Sequence, residues 1–154
     1  MAAPLRCLAL SLAAACCVPL TACACLSGQC VELAGERYVV EVADDAEERG
    51  RGLMFRDAMD ENHGMLFIHE REEPRAYWMK NTRIALDILY FDDDLTLVSQ
   101  QRNVPPCSLG DRCPPYPSAA PARYVLELNA GQAAKLGLEN SARLKLGHGI
   151  EPAR

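Results

Sequence analysis

The 154-residue chain has no long basic run, and its 16 Lys and Arg are outnumbered by 21 Asp and Glu, for a formal charge of −5. An acidic body repels polyanions, so no nucleic-acid partner is expected. No apolar stretch reaches the ~20 residues that a membrane-spanning helix needs. The run from Leu8 to Leu20 is shorter and contains Pro19. A Gly-x-Ser-x-Gly elbow is missing, and Ser108 and Ser118 sit in a Pro-rich stretch, which leaves serine-based covalent catalysis without support. Asp92-Asp93-Asp94 lacks the alternating ligands, the Gly and the terminal Glu of a calcium loop, and reads as a solvated hairpin tip. No internal repeat is visible, and tryptophan occurs once, at Trp78.

What is present at the N-terminus is a targeting segment. Met1 to Arg6 is a short n-region with one positive charge, and Leu8 to Leu20 is its apolar core, so residues 1–22 read as a signal peptide. Leu20-Thr21-Ala22-Cys23 resembles a bacterial lipobox. That resemblance implies diacylation of Cys23 and attachment to a membrane through its lipid. Ala24 stands where an Asp would resemble an inner-membrane retention signal, so an outer-membrane lipoprotein facing the periplasm is expected if the source has two membranes. The alternative is ordinary cleavage after Ala22-Cys23-Ala24, giving a soluble secreted or periplasmic protein.

Removing residues 1–22 takes one Arg and no acid, leaving 15 basic against 21 acidic residues and a charge of −6. With the signal and Cys23 set aside, Cys25, Cys30, Cys107 and Cys113 remain, and four cysteines allow three pairings. In an exported chain Cys107 and Cys113 predict a local disulfide, worth roughly 2 kcal/mol by chain entropy. Cys25 and Cys30 pair, stay free or are lost in processing; the pattern does not choose.

Residues 23–36 are small or polar without sustained period and read as a tether. Arg37 to Ala43 alternates as a strand, and Asp44 or Asp45 offers an N-cap to a short helix that Gly50 and Gly52 weaken. Met65 to Ile68 is short and apolar enough for a buried strand, Glu70 to Arg75 is a charged connection, and Ala76 to Met79 predicts a central strand. Ile84 to Phe91 and the stretch from Leu95 form a hairpin about the acidic tip. Residues 104–121 hold six of the ten prolines, which excludes a central strand there and predicts a long ordered loop. Arg123 to Leu128, a helix near Ala130 to Leu136 and a strand from Ser141 to Leu146 complete a single domain over 37–148, with 149–154 as a frayed tail. The expectation is a mainly β barrel or sandwich of about seven strands with two short helices.

Five motifs in order carry a resemblance to a known family: Glu47-Glu48-Arg49 with Gly52-Leu53-Met54-Phe55-Arg56; Gly64-Met65-Leu66-Phe67; Trp78-Met79-Lys80-Asn81-Thr82 with Leu86-Asp87-Ile88; Val104-Pro105-Pro106-Cys107; and Tyr124 to Leu128 with Ala130-Gly131. The chain resembles the bacterial and archaeal family called domain of unknown function 192, from Tyr38 to about Leu146. One departure is Ala85, where the family usually has Pro; it relaxes one φ angle and leaves the polar groups unchanged. The resemblance implies a mostly β, often exported domain and no established activity.

The polar residues set in these apolar motifs are Arg49, Arg56, Lys80, Asn81 and Asp87, with Tyr77 and Trp78 beside them. Converging, they could hold an anionic group while the aromatics stack on a ring or sugar face. The competing reading is structural: Arg49 or Arg56 pairs with Asp87, and Asn81 satisfies a turn. The functional expectation is therefore an envelope domain, read as a monomer without cofactor, that binds a small anionic or carbohydrate-like ligand or an envelope partner. A hydrolase or transferase acting on an envelope polymer is the alternative, with Asp87 and Glu127 as its carboxylate pair. A copper(I) protein using Met54, Met65 and Met79 with His63 and His69 is the third.

Overall fold

The run Leu86–Phe91 is buried at every position, and a strand buried on both faces must lie between two layers. The computed structural model describes residues 28–151. The signal peptide, Cys23 with its expected lipid, the start of the tether and residues 152–154 lie outside the described residues.

Nine strands and two short helices are described: β1 (Cys30–Leu33), β2 (Glu36–Ala43), α1 (Ala46–Arg51), β3 (His63–Glu73), β4 (Ala76–Trp78), β5 (Leu86–Phe91), β6 (Leu97–Val104), β7 (Pro115–Pro117), β8 (Ala122–Asn129), α2 (Gln132–Lys135) and β9 (Leu144–Leu146). Seven strands form one sheet in the order β6-β5-β8-β3-β2-β1-β9, and β4 pairs with β7 in a separate ribbon. The sheet curls into a half-barrel until its ends touch. Leu97 N–H donates to Ala142 O at 2.8 Å, and Leu144 N–H donates to Leu95 O at 2.9 Å. Of the neighbouring pairs only β2 and β3 run parallel, which requires a crossover. Residues 44–62, carrying α1, supply it. The mainly β expectation holds, and the architecture is a curled sheet.

Curling sorts the side chains into two apolar layers. The inner one takes residues from all seven strands of the sheet, including Leu33, Val40, Leu66, Leu89, Leu97, Leu126 and Leu144, with Ala133 of α2. The outer one joins Met65, Phe67, Ile88, Tyr90 and Val125 to Leu53 and Met79, which arrive from the crossover and the ribbon segment. Gly64 sits where β3 approaches β8 most closely. A Cβ there would lie 2.7 Å from Glu127 O and from Leu128 Cδ2, a separation that packed cores do not accommodate without backbone shifts.

Local chemistry agrees with the expected helix start. Asp45 is the N-cap of α1 and accepts from Glu48 N–H at 2.8 Å, while the Glu48 carboxylate accepts from Asp44 N–H at 3.3 Å. The two carboxylates thereby satisfy donors that the first turn cannot pair.

Three expectations are corrected. The tether gives way at Cys30, because Cys30, Val31 and Leu33 are buried and pair with β2 and β9; four residues are too few to show a period. The tail is held as far as Ile150, whose apolar side chain joins the inner layer. Most consequentially, Ala76 to Met79 is not a central strand. It leaves the sheet after Glu73 and pairs with Pro115–Pro117, so the Pro-rich segment that cannot enter a sheet interior serves as an edge partner.

Candidate functional site

The displaced β4 ribbon and α1 stand on the outer face of the sheet, and the space between them is a cavity of about 340 Å³ lined by residues of 49–54, 67–69, 74–82 and Glu127. α1 supplies Arg49, whose Nη1 donates to Ile68 O at 2.9 Å and also to Asp44 O. Gly52 follows at φ +46°, where a Cβ would come within 3.3 Å of the Phe67 ring. The helix end therefore lies close against β3.

The wall opposite is aromatic. Tyr77 meets the edge of Phe67 at a centroid distance of 4.9 Å and that of Tyr90 at 6.0 Å. Its hydroxyl is 3.0 Å from His69 Nε2. Burial, with the nearby charges of Arg75 and Arg49, lowers the His69 pKa to about 4, so the ring is neutral at pH 7. Burial and the neighbouring Glu127 push the Tyr77 phenol well above its usual value. Tyr90 donates to Tyr116 O at 2.5 Å, which fastens the ribbon to β5.

At the lip, alternation along β4 sends Met79 into the core and leaves Trp78 45 % exposed. Lys80 Nζ lies 4.9 Å from the centre of the Trp78 ring and pairs with Asp111 at 2.5 Å. Asp111 sits in the loop closed by the Cys107–Cys113 disulfide, with the two Cα atoms 6.0 Å apart. Cys107 N–H donates to Thr82 O at 3.2 Å, so the disulfide loop is stitched to the Trp78 to Thr82 stretch.

The floor carries Glu127, which the sequence offered only as a carboxylate partner for Asp87. It projects from β8 into the outer layer, is only 4 % exposed, and burial raises its pKa to about 8. At neutral pH it is therefore mostly protonated. A lone acid at an inward position of the apolar run Tyr124 to Leu128 was the available signal. Arg75 was missed, since it ends the Glu70 to Arg75 segment that reads as a surface connection, and His69 was considered only as a copper ligand.

Of the sequence candidates, Arg49, Tyr77, Trp78 and Lys80 come together at the cavity. Arg56 lies apart and pairs with Glu41 at 2.6 Å. Asn81 faces a neighbouring depression with Phe55 and Arg83. Asp87 is on the other face of β5: it pairs across from Leu128, whereas Ile88 pairs with Glu127. Its carboxylate accepts from Asn103 N–H and Ala133 N–H, each at 2.7 Å. Neither Arg49 nor Arg56 reaches it, so the structural role expected of Asp87 is filled by backbone donors. Met65 and Met79 are buried among the outer apolar layer, and Met54 lines the cavity.

A curled-sheet β domain with one basic and aromatic cavity above a buried acid is the class that this fold and site define. The chain belongs to the family of domain of unknown function 192, described as "Uncharacterized ACR", which matches residues 29–146. Two crystal structures are similar. One, from Sinorhizobium meliloti 1021 and provisionally described as a transcription regulator, is 37 % identical, with a TM-score of 0.71 over 77 % of this chain and 92 % of that one. The other, a protein of unknown function from Novosphingobium aromaticivorans DSM 12444, is 31 % identical, with a TM-score of 0.70 over 75 % and 83 %. No curated protein matches.

Proposed function

We propose that this protein is an exported envelope domain, lipid-anchored through Cys23, that binds a small anionic or carbohydrate-like ligand in the cavity above β8. The observation that carries the reading is the convergence of Arg49, Arg75 and Lys80 with Tyr77 and Trp78 around about 340 Å³, in a chain whose net charge is −5. Basic groups concentrated in one hollow of an acidic protein attract a small anion and leave the surface repellent to polyanions. For that reason the provisional description of the Sinorhizobium protein is not carried over.

The hydrolase alternative asked for Asp87 beside a second carboxylate. Asp87 and Glu127 occupy opposite faces of the sheet, which favours binding over two-acid chemistry.

The ligand reading is tested by thermal shift on the mature protein, with uronates, sugar phosphates and amino acids as probes. At least one class is expected to raise Tm by several degrees, and Trp78→Ala, which removes a half-exposed ring, is expected to abolish most of the shift. A shift that persists in both Trp78→Ala and Lys80→Ala would place binding elsewhere. Anchoring is tested separately: Cys23→Ser is expected to move the protein from the membrane to the soluble fraction of the source cell. Equal partition of the two forms would exclude the lipid.

A further inference from the structure

The charged groups around the cavity are unevenly satisfied. Lys80 is held by Asp111 at 2.5 Å. Arg75 is held by Glu73 at 3.5 Å and by Ala122 O at 3.1 Å. Arg49 spends one nitrogen on backbone carbonyls and keeps other N–H donors in its planar fork. Glu127 and the exposed Arg51 have neither a hydrogen bond nor an ion pair among the described residues, and of the two only Glu127 is buried. No fully enclosed side-chain polar atom lacks a partner, so its free carboxyl opens on the cavity it lines.

A nearly buried carboxyl that no protein group satisfies is left to be satisfied from the cavity. Among ligand chemistries, the complement of a buried carboxyl is a cation or a hydrogen-bond donor. A metal ion is disfavoured, because no group of three His, Cys, Asp or Glu that could hold one occurs among the described residues. A primary ammonium fits better. Tyr77 and Phe67 line the cavity with Glu127 and present π-systems that attract cations, and Lys80 and Arg75 already have partners in Asp111 and Glu73. The unspent donors of Arg49 at the rim suit an anionic group at the ligand's other end.

We infer that the cavity takes a small zwitterion, an amine that also bears a carboxylate or phosphate, with its ammonium on Glu127 and its anionic end on Arg49. This rests on the cavity being a ligand site and adds the chemistry of the deep end. It also fixes the proton balance. The ammonium keeps its protons, and the Glu127 carboxyl yields its own to solvent as the ion pair forms, so binding near pH 7 releases protons.

Matched pairs that differ only in amine against hydroxyl test this: glutamate with 2-hydroxyglutarate, and glucosamine 6-phosphate with glucose 6-phosphate. Each is titrated calorimetrically at pH 7 into the mature protein, in two buffers of different ionisation enthalpy. The amine member of at least one pair is expected to bind tenfold or more tighter, with release approaching one proton. In Glu127→Gln, which is nearly isosteric, the advantage and the proton release are expected to vanish together while the hydroxyl member is unaffected. Equal affinity within both pairs, an amine advantage without proton release, or an advantage that survives Glu127→Gln would overturn the zwitterion and leave a simple anion site standing. Failure of all four probes to bind overturns it too, and the uronate and sugar-phosphate arms of the thermal-shift panel then decide separately whether the cavity is a site.

Discussion

Glu127→Gln is expected to be more stable than the unsubstituted protein by about 4 kcal/mol at pH 8 and by almost nothing at pH 4.5. The folded-state pKa of about 8 stands above the ordinary glutamate value of 4.5. Between those two values the folded protein holds a proton that the unfolded chain has lost. Stability therefore falls as pH rises through this window and levels off above pH 8. Glutamine cannot ionise, so the variant's stability lacks that slope, while the burial of an unpartnered polar group is common to both. His69 works in the opposite sense: its pKa of about 4 lies below the ordinary histidine value of 6.5, so its contribution rises with pH between those values and is flat beyond. Of these two groups only Glu127 acts from pH 6.5 to 8. Urea midpoints measured across that range, at unchanged m-value, check the result. Parallel curves for the two proteins would mean that the carboxyl is already ionised in the folded state.

Asp87→Ala is expected to cost about 3–5 kcal/mol, a large part of the 5–15 kcal/mol that holds a typical domain together. One carboxylate oxygen accepts from Ala133 N–H, in the first turn of α2, a helix whose N-cap residue Gly131 has no capping side chain. The other accepts from Asn103 N–H, at the irregularity where Leu86 pairs with Val104 but Ile88 pairs with Gln101. A bulge of this kind leaves an unpaired donor, and Asn103 holds it at φ +52°. Alanine would orphan both donors and open a void in the core. Asp87→Asn is expected to cost less, about 2–3 kcal/mol, because the amide keeps one acceptor and turns N–H against the other donor. Hydrogen exchange should accelerate first at Ala133 and Asn103. Ligand affinity should survive in whatever protein remains folded, since Asp87 lies on the face away from the cavity. Lost affinity in a fully folded Asp87→Asn would tie it to the site instead.

The contrast between these two acids shows how far the candidate site was legible. Both are single carboxylates inside apolar strands, Asp87 in Leu86–Phe91 and Glu127 in Ala122–Asn129. Period-2 alternation says that each lies on one face of its strand, but not which face, nor what covers it. Asp87 was chosen for the density of motif around it and proves to hold backbone; Glu127, considered only as its carboxylate partner, floors the cavity. Arg49, Tyr77, Trp78 and Lys80 were legible because the chain sets them beside recognisable local chemistry: an N-capped short helix, and a polar strand end. The roles of His69 and Arg75 were not, because His69 lies where β3 leaves the sheet and Arg75 just beyond its end, and an emerging strand looks like a charged connection.

What the sequence by itself determined is local. Alternation set the strands, Asp45 and Glu48 set the start of α1, and six prolines in residues 104–121 kept that segment out of the sheet interior. The pair Cys107 and Cys113 is likewise a short-range matter, at a sequence separation of 6. Only the tertiary structure decided that Trp78 belongs to a separate ribbon, that this ribbon and α1 stand over one face of a curled sheet, and that Glu127 is left beneath them without a partner. The physical reason is that strand pairing and burial join residues far apart in the chain, as Tyr77 joins Tyr116 and Met65 joins Glu127. Which pairs form depends on the free energy of the whole sheet and not on any window of residues.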